Sequence, residues 1–228
     1  MGEQVAAVGV AAAVAAALRE AASVLWPVSC AGCGAPDIAV CTDCRALLTA
    51  QPVREQLDGV PLAAAAAYQG RVRQLVAVTK EHGGRAEVRA LAAGLVSALA
   101  VLPDAEIVRV PPSAAGMRRR GFDPVELVVR AAGHRSRALR RVRAGVGAAG
   151  AQKQRTIVER QRAAHGSLVL PSAARRALEG RRALVVDDIV TSGATVREAV
   201  RALRAAGCEP IGIGAVARTP RRLGEPLA

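Results

Sequence analysis

Between Ala183 and Thr195 the chain reads Ala-Leu-Val-Val-Asp-Asp-Ile-Val-Thr-Ser-Gly-Ala-Thr, an order that few folds can use. The apolar, β-branched start predicts a strand over Ala183–Val186, buried as in a parallel sheet covered on both faces. Asp187 and Asp188 follow at its C-terminal edge, where open α/β sheets bind ligands. Hydroxyl and small residues then lead into a helix predicted over Val196–Ala205 and stopped by Gly207. The backbone N–H groups of Thr191 to Thr195, the hydroxyls of Thr191, Ser192 and Thr195, and the positive helix end together suit a phosphate dianion. Gly193 and Ala194 keep side chains out of its way, and Ile189 and Val190 complete the candidate ligand-binding segment. Two adjacent carboxylates match a vicinal hydroxyl pair, and their joint charge calls for hydroxyls and a metal ion to offset it. A ribose 5-phosphate offers these groups together. An ordinary acidic strand end with an N-cap loop would explain only one Asp and Thr195.

Strand and helix signals alternate elsewhere. Leu62–Tyr68 reads as a strand, although its Ala run also fits a helix. Val88, Leu91, Ala92, Leu95, Val96 and Leu99 recur at helical spacing and predict a helix over Arg85–Leu102, ended by Pro103-Asp104. Ile107–Val110 is a short strand entering Pro111-Pro112. A helix over Pro124–Ala132 has Asp123 as its N-cap and Pro124 at its first position. Ile211–Val216 is a further strand, with Cys208 a small buried residue before it. This alternation predicts a parallel sheet with right-handed crossovers. Gln51–Pro61 reads as a linker and Gly145–Gly150 as a mobile Gly/Ala stretch. With one Trp, one Tyr and one Phe, the core is expected to be built from small and β-branched side chains, and an aromatic platform for single-stranded nucleic acid is absent.

Cys30, Cys33, Cys41 and Cys44 form two Cys-x-x-Cys pairs. Each pair can turn two thiolates to one point, and together they complete a closed tetrahedral site for structural zinc. Gly32 and Gly34 supply the turns. Two disulfides would need an oxidising compartment, and a redox pair would need a strand-helix context that is missing here. The apolar run Val5–Leu18 lacks a basic start and ends at Arg19-Glu20 before a membrane span is complete, so a cytoplasmic protein is expected. The net charge of +13 is carried almost wholly by Arg, Lys80 and Lys153 being the lysines. It suits phosphate partners and equally an Ala/Arg/Val/Gly coding bias. His82, His134 and His165 have no metal spacing, and no Ser/His/Asp arrangement can be assembled.

The Ala183–Thr195 segment resembles the phosphoribosyl-pyrophosphate motif of type I phosphoribosyltransferases. Nearly the whole chain resembles the ComF (GntX-like) family. That likeness runs through Leu25-Trp26-Pro27, the cysteine pairs, Tyr68 to Gly70, Lys80 to Gly83, and Ile107 to Ser113. It continues through Arg120 to Pro124, Gln154, Arg162 and the terminal motif. Arg109 and His165 depart from it, standing where that family has Pro and Asn. The resemblance implies a type I phosphoribosyltransferase-like parallel sheet flanked by helices, with a small N-terminal zinc-ribbon module. Its divisions are an Ala-rich helix over 1–26, the ribbon over 27–50 and the main domain over 60–228.

The resemblance also implies phosphoribosyl pyrophosphate with Mg2+ as ligand. Asp187 and Asp188 would lie on the ribose, Pro111, Pro112 and Ser113 in the turn holding the pyrophosphate, and Lys80, Arg119 and Arg120 as candidate neutralising cations, Arg120 foremost among the arginines. The expected activity is phosphoribosyl transfer to an acceptor that the sequence does not name. The competing reading is a non-catalytic competence factor handling single-stranded DNA with competence-machinery proteins.

Overall fold

The computed structural model describes residues 28–142 and 166–220. The expectations for the Ala-rich 1–26 helix, Gly145–Gly150, Gln154, Arg162 and His165 lie outside these residues. Among the described residues no helix is long and apolar enough to cross a membrane.

The central sheet has six strands: β1 (Val53–Leu57), β2 (Val60–Ala67), β3 (Glu106–Arg109), β4 (Arg137–Ala138), β7 (Arg182–Val190) and β8 (Glu209–Arg218). Their order is β1-β2-β8-β7-β3-β4. All neighbours are parallel except β1 and β2, which form an antiparallel hairpin. Two short strands, β5 (Arg140–Arg141) and β6 (Leu168–Val169), pair separately. From β3 the chain moves outward to β4, and from β7 it moves the other way to β8. The crevice between β3 and β7 is therefore the topological switch point at which α/β sheets take ligands.

Seven helices lie among the described residues: α1 (Thr42–Thr49), α2 (Gly70–His82), α3 (Arg85–Leu99), α4 (Ala114–Arg120), α5 (Pro124–Ala131), α6 (Ser172–Leu178) and α7 (Ala194–Ala205). α6 and α7 cover one sheet face with Ala174, Leu178, Val196 and Leu203. α1, α2, α3 and α5 cover the other with Leu48, Leu75, Leu95 and Val129. Asp123 caps α5 as expected, its Oδ1 accepting the N–H groups of Val125 and Glu126.

Three expectations are corrected. Residues 51–61 are not a linker but the β1–β2 hairpin, whose tip turns through Asp58 (φ 50°) and Gly59. The core itself is as expected, mostly Val and Ala, with leucines such as Leu48, Leu75, Leu91 and Leu203 among its largest fully buried side chains. The sheet interior is Ala- and Val-rich, and the helices fill the remaining volume with Leu. Val96 lies outside the buried stripe of α3, at 44% exposure, because the contact face runs through Ala98 and Gly94 instead. Strand β7 also runs past its predicted end to Val190, because β8 pairs with it along that whole length.

Candidate functional site

Strands β3 and β7 deliver the Pro111–Ser113 turn and the Thr191–Gly193 loop to the same sheet edge. Asp187 and Asp188 sit just before that loop. Consecutive strand residues face opposite sides of a sheet. Asp188 reaches across to α2, where its Oδ2 lies 3.0 Å from Lys80 Nζ. Asp187 Oδ1 accepts the Asp188 N–H at 2.9 Å. Burial, and next the Asp188 charge, push the Asp187 carboxyl well above the usual carboxylate range, while the Asp188 N–H, Lys80 and Arg141 oppose that shift. The two carboxylates thus stand between two cations on different elements.

Gly83-Gly84 beside Lys80 could permit a tight loop, but Lys80 is helical. It belongs to the last turn of α2, which Gly83 closes in the left-handed conformation (φ 62°) before Gly84 starts α3.

The loop after β7 leads into α7. Its N-cap residue is Gly193 at φ 81°, which has no side chain to cap the helix, so a long bond from the preceding serine is the side-chain contact its first N–H makes. Ser192 Oγ accepts the Ala194 N–H at 3.4 Å. In the other loop, Ser113 caps α4 by accepting the Gly116 N–H at 3.0 Å. Arg120 returns from the end of that helix to the same place. A Cβ at Gly116 would stand 2.7 Å from Arg120 Nη2 and 3.1 Å from Ser113 Oγ. Arg120 Nε is buried without a hydrogen-bond partner among the described residues. Arg119 is instead occupied by Glu81, at 2.7 Å on the surface.

Sequence reasoning did not single out Arg141. Its Nε donates to the Pro111 and Pro112 carbonyls at 3.1 and 3.2 Å, which binds the turn after β3 to β5. Arg109 serves the scaffold: it pairs with Asp123 at 3.0 Å and Glu126 at 2.9 Å and donates to Ser136. It therefore clamps the end of β3 to the start of α5.

The four cysteines come together as a second centre, all four Sγ atoms within 4.8 Å of one another. Cys41 is the N-cap of α1 and Cys44 lies in its first turn. Burial opposes ionisation of Cys30, but N–H donors from Cys41, Gly32 and Cys33 outweigh it and bring the thiol down to about 6. Burial, followed by the neighbouring thiols, pushes Cys44 up. Four soft sulfurs at this separation form a donor set that fits zinc, with no position left open.

The cluster is joined to the main core, since Cys30, Val40, Cys44 and Leu48 pack in one cluster with Leu75 and Leu95. Gly32 permits that closeness: a Cβ there would stand 2.7 Å from Cys44 Sγ. Gly32→Ala is expected to cost about 1–3 kcal/mol by overpacking, read by urea unfolding. An unchanged midpoint would show that the knuckle can give way.

Comparison with known proteins gives the following similarities. The family model described as phosphoribosyl transferase domain matches residues 85–228. The orotate phosphoribosyltransferase of Thioalkalivibrio sulfidiphilus is 49% identical over 45 residues, 19% of this chain and 21% of that protein. The orotate phosphoribosyltransferase of Xanthomonas campestris pv. campestris is 53% identical over 36 residues, 16% of each. The chain thus spans about a fifth or less of these relatives.

Among solved structures, the allosteric regulatory enzyme of purine biosynthesis aligns over 57% of this chain but 25% of its own, with 23% identity and a TM-score of 0.35. A phosphoribosyltransferase from Corynebacterium diphtheriae aligns over 77% of this chain and 81% of its own, with 18% identity and a TM-score of 0.38. Adenine phosphoribosyltransferase from Rhodothermus marinus aligns over 78% and 88%, with 14% identity and a TM-score of 0.37.

Proposed function

The chain belongs to the phosphoribosyl transferase domain family, matched over more than half its length, and from that premise we propose that it binds phosphoribosyl pyrophosphate with magnesium and transfers the phosphoribosyl group to an acceptor. One observation carries the reading: an acidic pair and a helix-entry loop with glycine at the N-cap stand together at the β3/β7 switch point.

In this reading the N–H groups and hydroxyls of the 191–195 loop take the 5-phosphate, and Asp187 and Asp188 accept hydrogen bonds from the ribose hydroxyls. Binding must release Lys80 from Asp188, which frees its ammonium for the pyrophosphate. Arg120, with its unpartnered Nε beside Ser113, meets the same leaving group. Magnesium brought in with the pyrophosphate would find hard oxygen donors in the two carboxylates and supplies further charge neutralisation when bound. As the bond to pyrophosphate breaks, the carboxylates also offset the positive charge growing on the ribose carbon.

The cysteine cluster, read as a zinc site, together with the order of motifs supports placing the chain in the ComF family. The +13 charge favours a second reading, in which the ligand is bound without turnover by a factor that handles single-stranded DNA.

The test is calorimetric titration of phosphoribosyl pyrophosphate and magnesium into the wild type and an Asp187→Asn/Asp188→Asn double variant. Losing two charged acceptors should weaken binding at least about a hundredfold. The unliganded variant should melt no lower, because burial already disfavours the Asp187 charge. No binding by the wild type would sink the reading. Binding without pyrophosphate release across an acceptor screen would select the non-catalytic alternative.

A further inference from the structure

Two arginines with no part in the proposed reaction grip the phosphate loop from the side of the β1–β2 hairpin. Arg218, 4% exposed at the end of β8, donates through Nη1 to the Val190 carbonyl at 3.2 Å and to the Thr191 carbonyl. Arg197, on the first turn of α7, donates through Nη1 to the Ser192 carbonyl at 2.8 Å. Both arginines are anchored in turn by hairpin carboxylates. Arg218 Nε lies 3.0 Å from Glu55 Oε2, and Arg197 Nε lies 2.8 Å from Asp58 Oδ2. Leu57 fills the remaining space, 3.0 Å from where a Gly193 Cβ would stand.

Three consecutive carbonyls, those of residues 190, 191 and 192, are thus drawn to one side. In a trans peptide the C=O and the following N–H point in opposite directions, and the described residues contain no cis bond. The N–H groups of Thr191, Ser192 and Gly193 are therefore turned away from the hairpin as a set. Left to itself, a short loop would let each peptide rotate, and an anion would have to order it at an entropic cost.

We propose that Arg197 and Arg218 are positioning residues that preorganise the loop for a sugar phosphate by holding its carbonyls, with Asp58 and Glu55 of the hairpin as their anchors. This rests on the reading of the loop as a phosphate cradle. It gives the hairpin a role at the site although neither of its strands contributes a residue to the proposed ligand contacts.

The buried Arg218 is a poor first target because its removal threatens the fold, so the test uses Arg197 and Asp58. Ribose 5-phosphate is titrated calorimetrically into the wild type, Arg197→Ala, Arg197→Gln and Asp58→Ala, with the melting temperature of each unliganded protein recorded. Arg197→Ala should bind about tenfold more weakly with a melting temperature close to the wild type. Asp58→Ala should lose about threefold. Arg197→Gln, whose neutral amide can still donate to the Ser192 carbonyl, should recover part of the loss.

Equal affinity in the wild type and Arg197→Ala would overturn the proposal and leave the function intact. Glutamine as weak as alanine would assign the effect to charge and overturn positioning. A wild type that does not bind ribose 5-phosphate would overturn the phosphate cradle and this proposal together.

Discussion

A Cys44→Ser variant is expected to lose one bound zinc per chain and to melt far below the wild type. Four thiolates supply metal-binding free energy on the order of 10 kcal/mol, and that energy is available only to the folded cluster. The loss would not stay local. Cys44 and Leu48 share α1, and a Cβ on Gly94 of α3 would stand 3.2 Å from Leu48 Cβ and 3.0 Å from the Ala65 Cβ of β2. When α1 loosens, α3 and the hairpin strand beside it lose a packing partner. Metal analysis of protein purified without chelators, followed by thermal melting with and without chelator, reads this directly. Zinc-free protein with a melting curve indifferent to chelator would show that the cysteines are merely buried thiols.

Glu198→Ala is expected to lose about 3 kcal/mol, equivalent to roughly 6–12 °C for a chain of this size. The Glu198 side chain is 3% exposed. It accepts Arg201 Nε and Nη2 at 2.7 and 2.8 Å and the Leu168 N–H at 3.0 Å. Burial disfavours its charge, but the Arg201 hydrogen bonds and the N–H groups of Leu168 and Gly166 outweigh that and hold the carboxyl below its ordinary 4.5.

The sign follows from linkage. A depressed carboxylate stabilises above its unfolded value, and that contribution disappears as pH falls through the folded value. The gap between wild type and variant should be full at pH 7 and should narrow below about pH 4. Urea unfolding at both pH values measures it, and a gap that persists at low pH would assign the loss to packing alone. The same clamp holds β6, whose partner β5 carries Arg141 and so the Pro111–Pro112 turn. The variant should therefore also soften the pyrophosphate side of the proposed site.

Much of the molecule was legible in the sequence because it is decided locally. The Asp123-Pro124 start of α5, the apolar period of α3 and the strand-to-loop-to-helix passage at 183–205 are each specified by residues a few positions apart. Backbone preference, capping and side-chain period act over that range. The four cysteines were legible for the same reason, since their spacing brings the thiols together within one short stretch.

The sequence did not reveal the partners. Val53–Leu57 alternates only weakly and shows its strand character through pairing with β2, which is itself held by β8, so it reads as a linker until those strands are in place. Arg197 is 139 positions from Asp58, and Arg218 is 163 from Glu55. Nothing in a run of Arg codons distinguishes these two from the solvated majority. Lys80 could be singled out by its rarity, but only the docking of α2 against the sheet makes Asp188 its partner.

The sequence by itself determined the locally specified elements, such as α3, α5 and the 183–205 passage, and which residues carry acid, hydroxyl and thiol at the candidate sites. The tertiary structure alone decided which charges meet, which carbonyls are held and which face of each element is covered. Those choices depend on distances between elements far apart in the chain, and such distances are fixed only when the whole core packs.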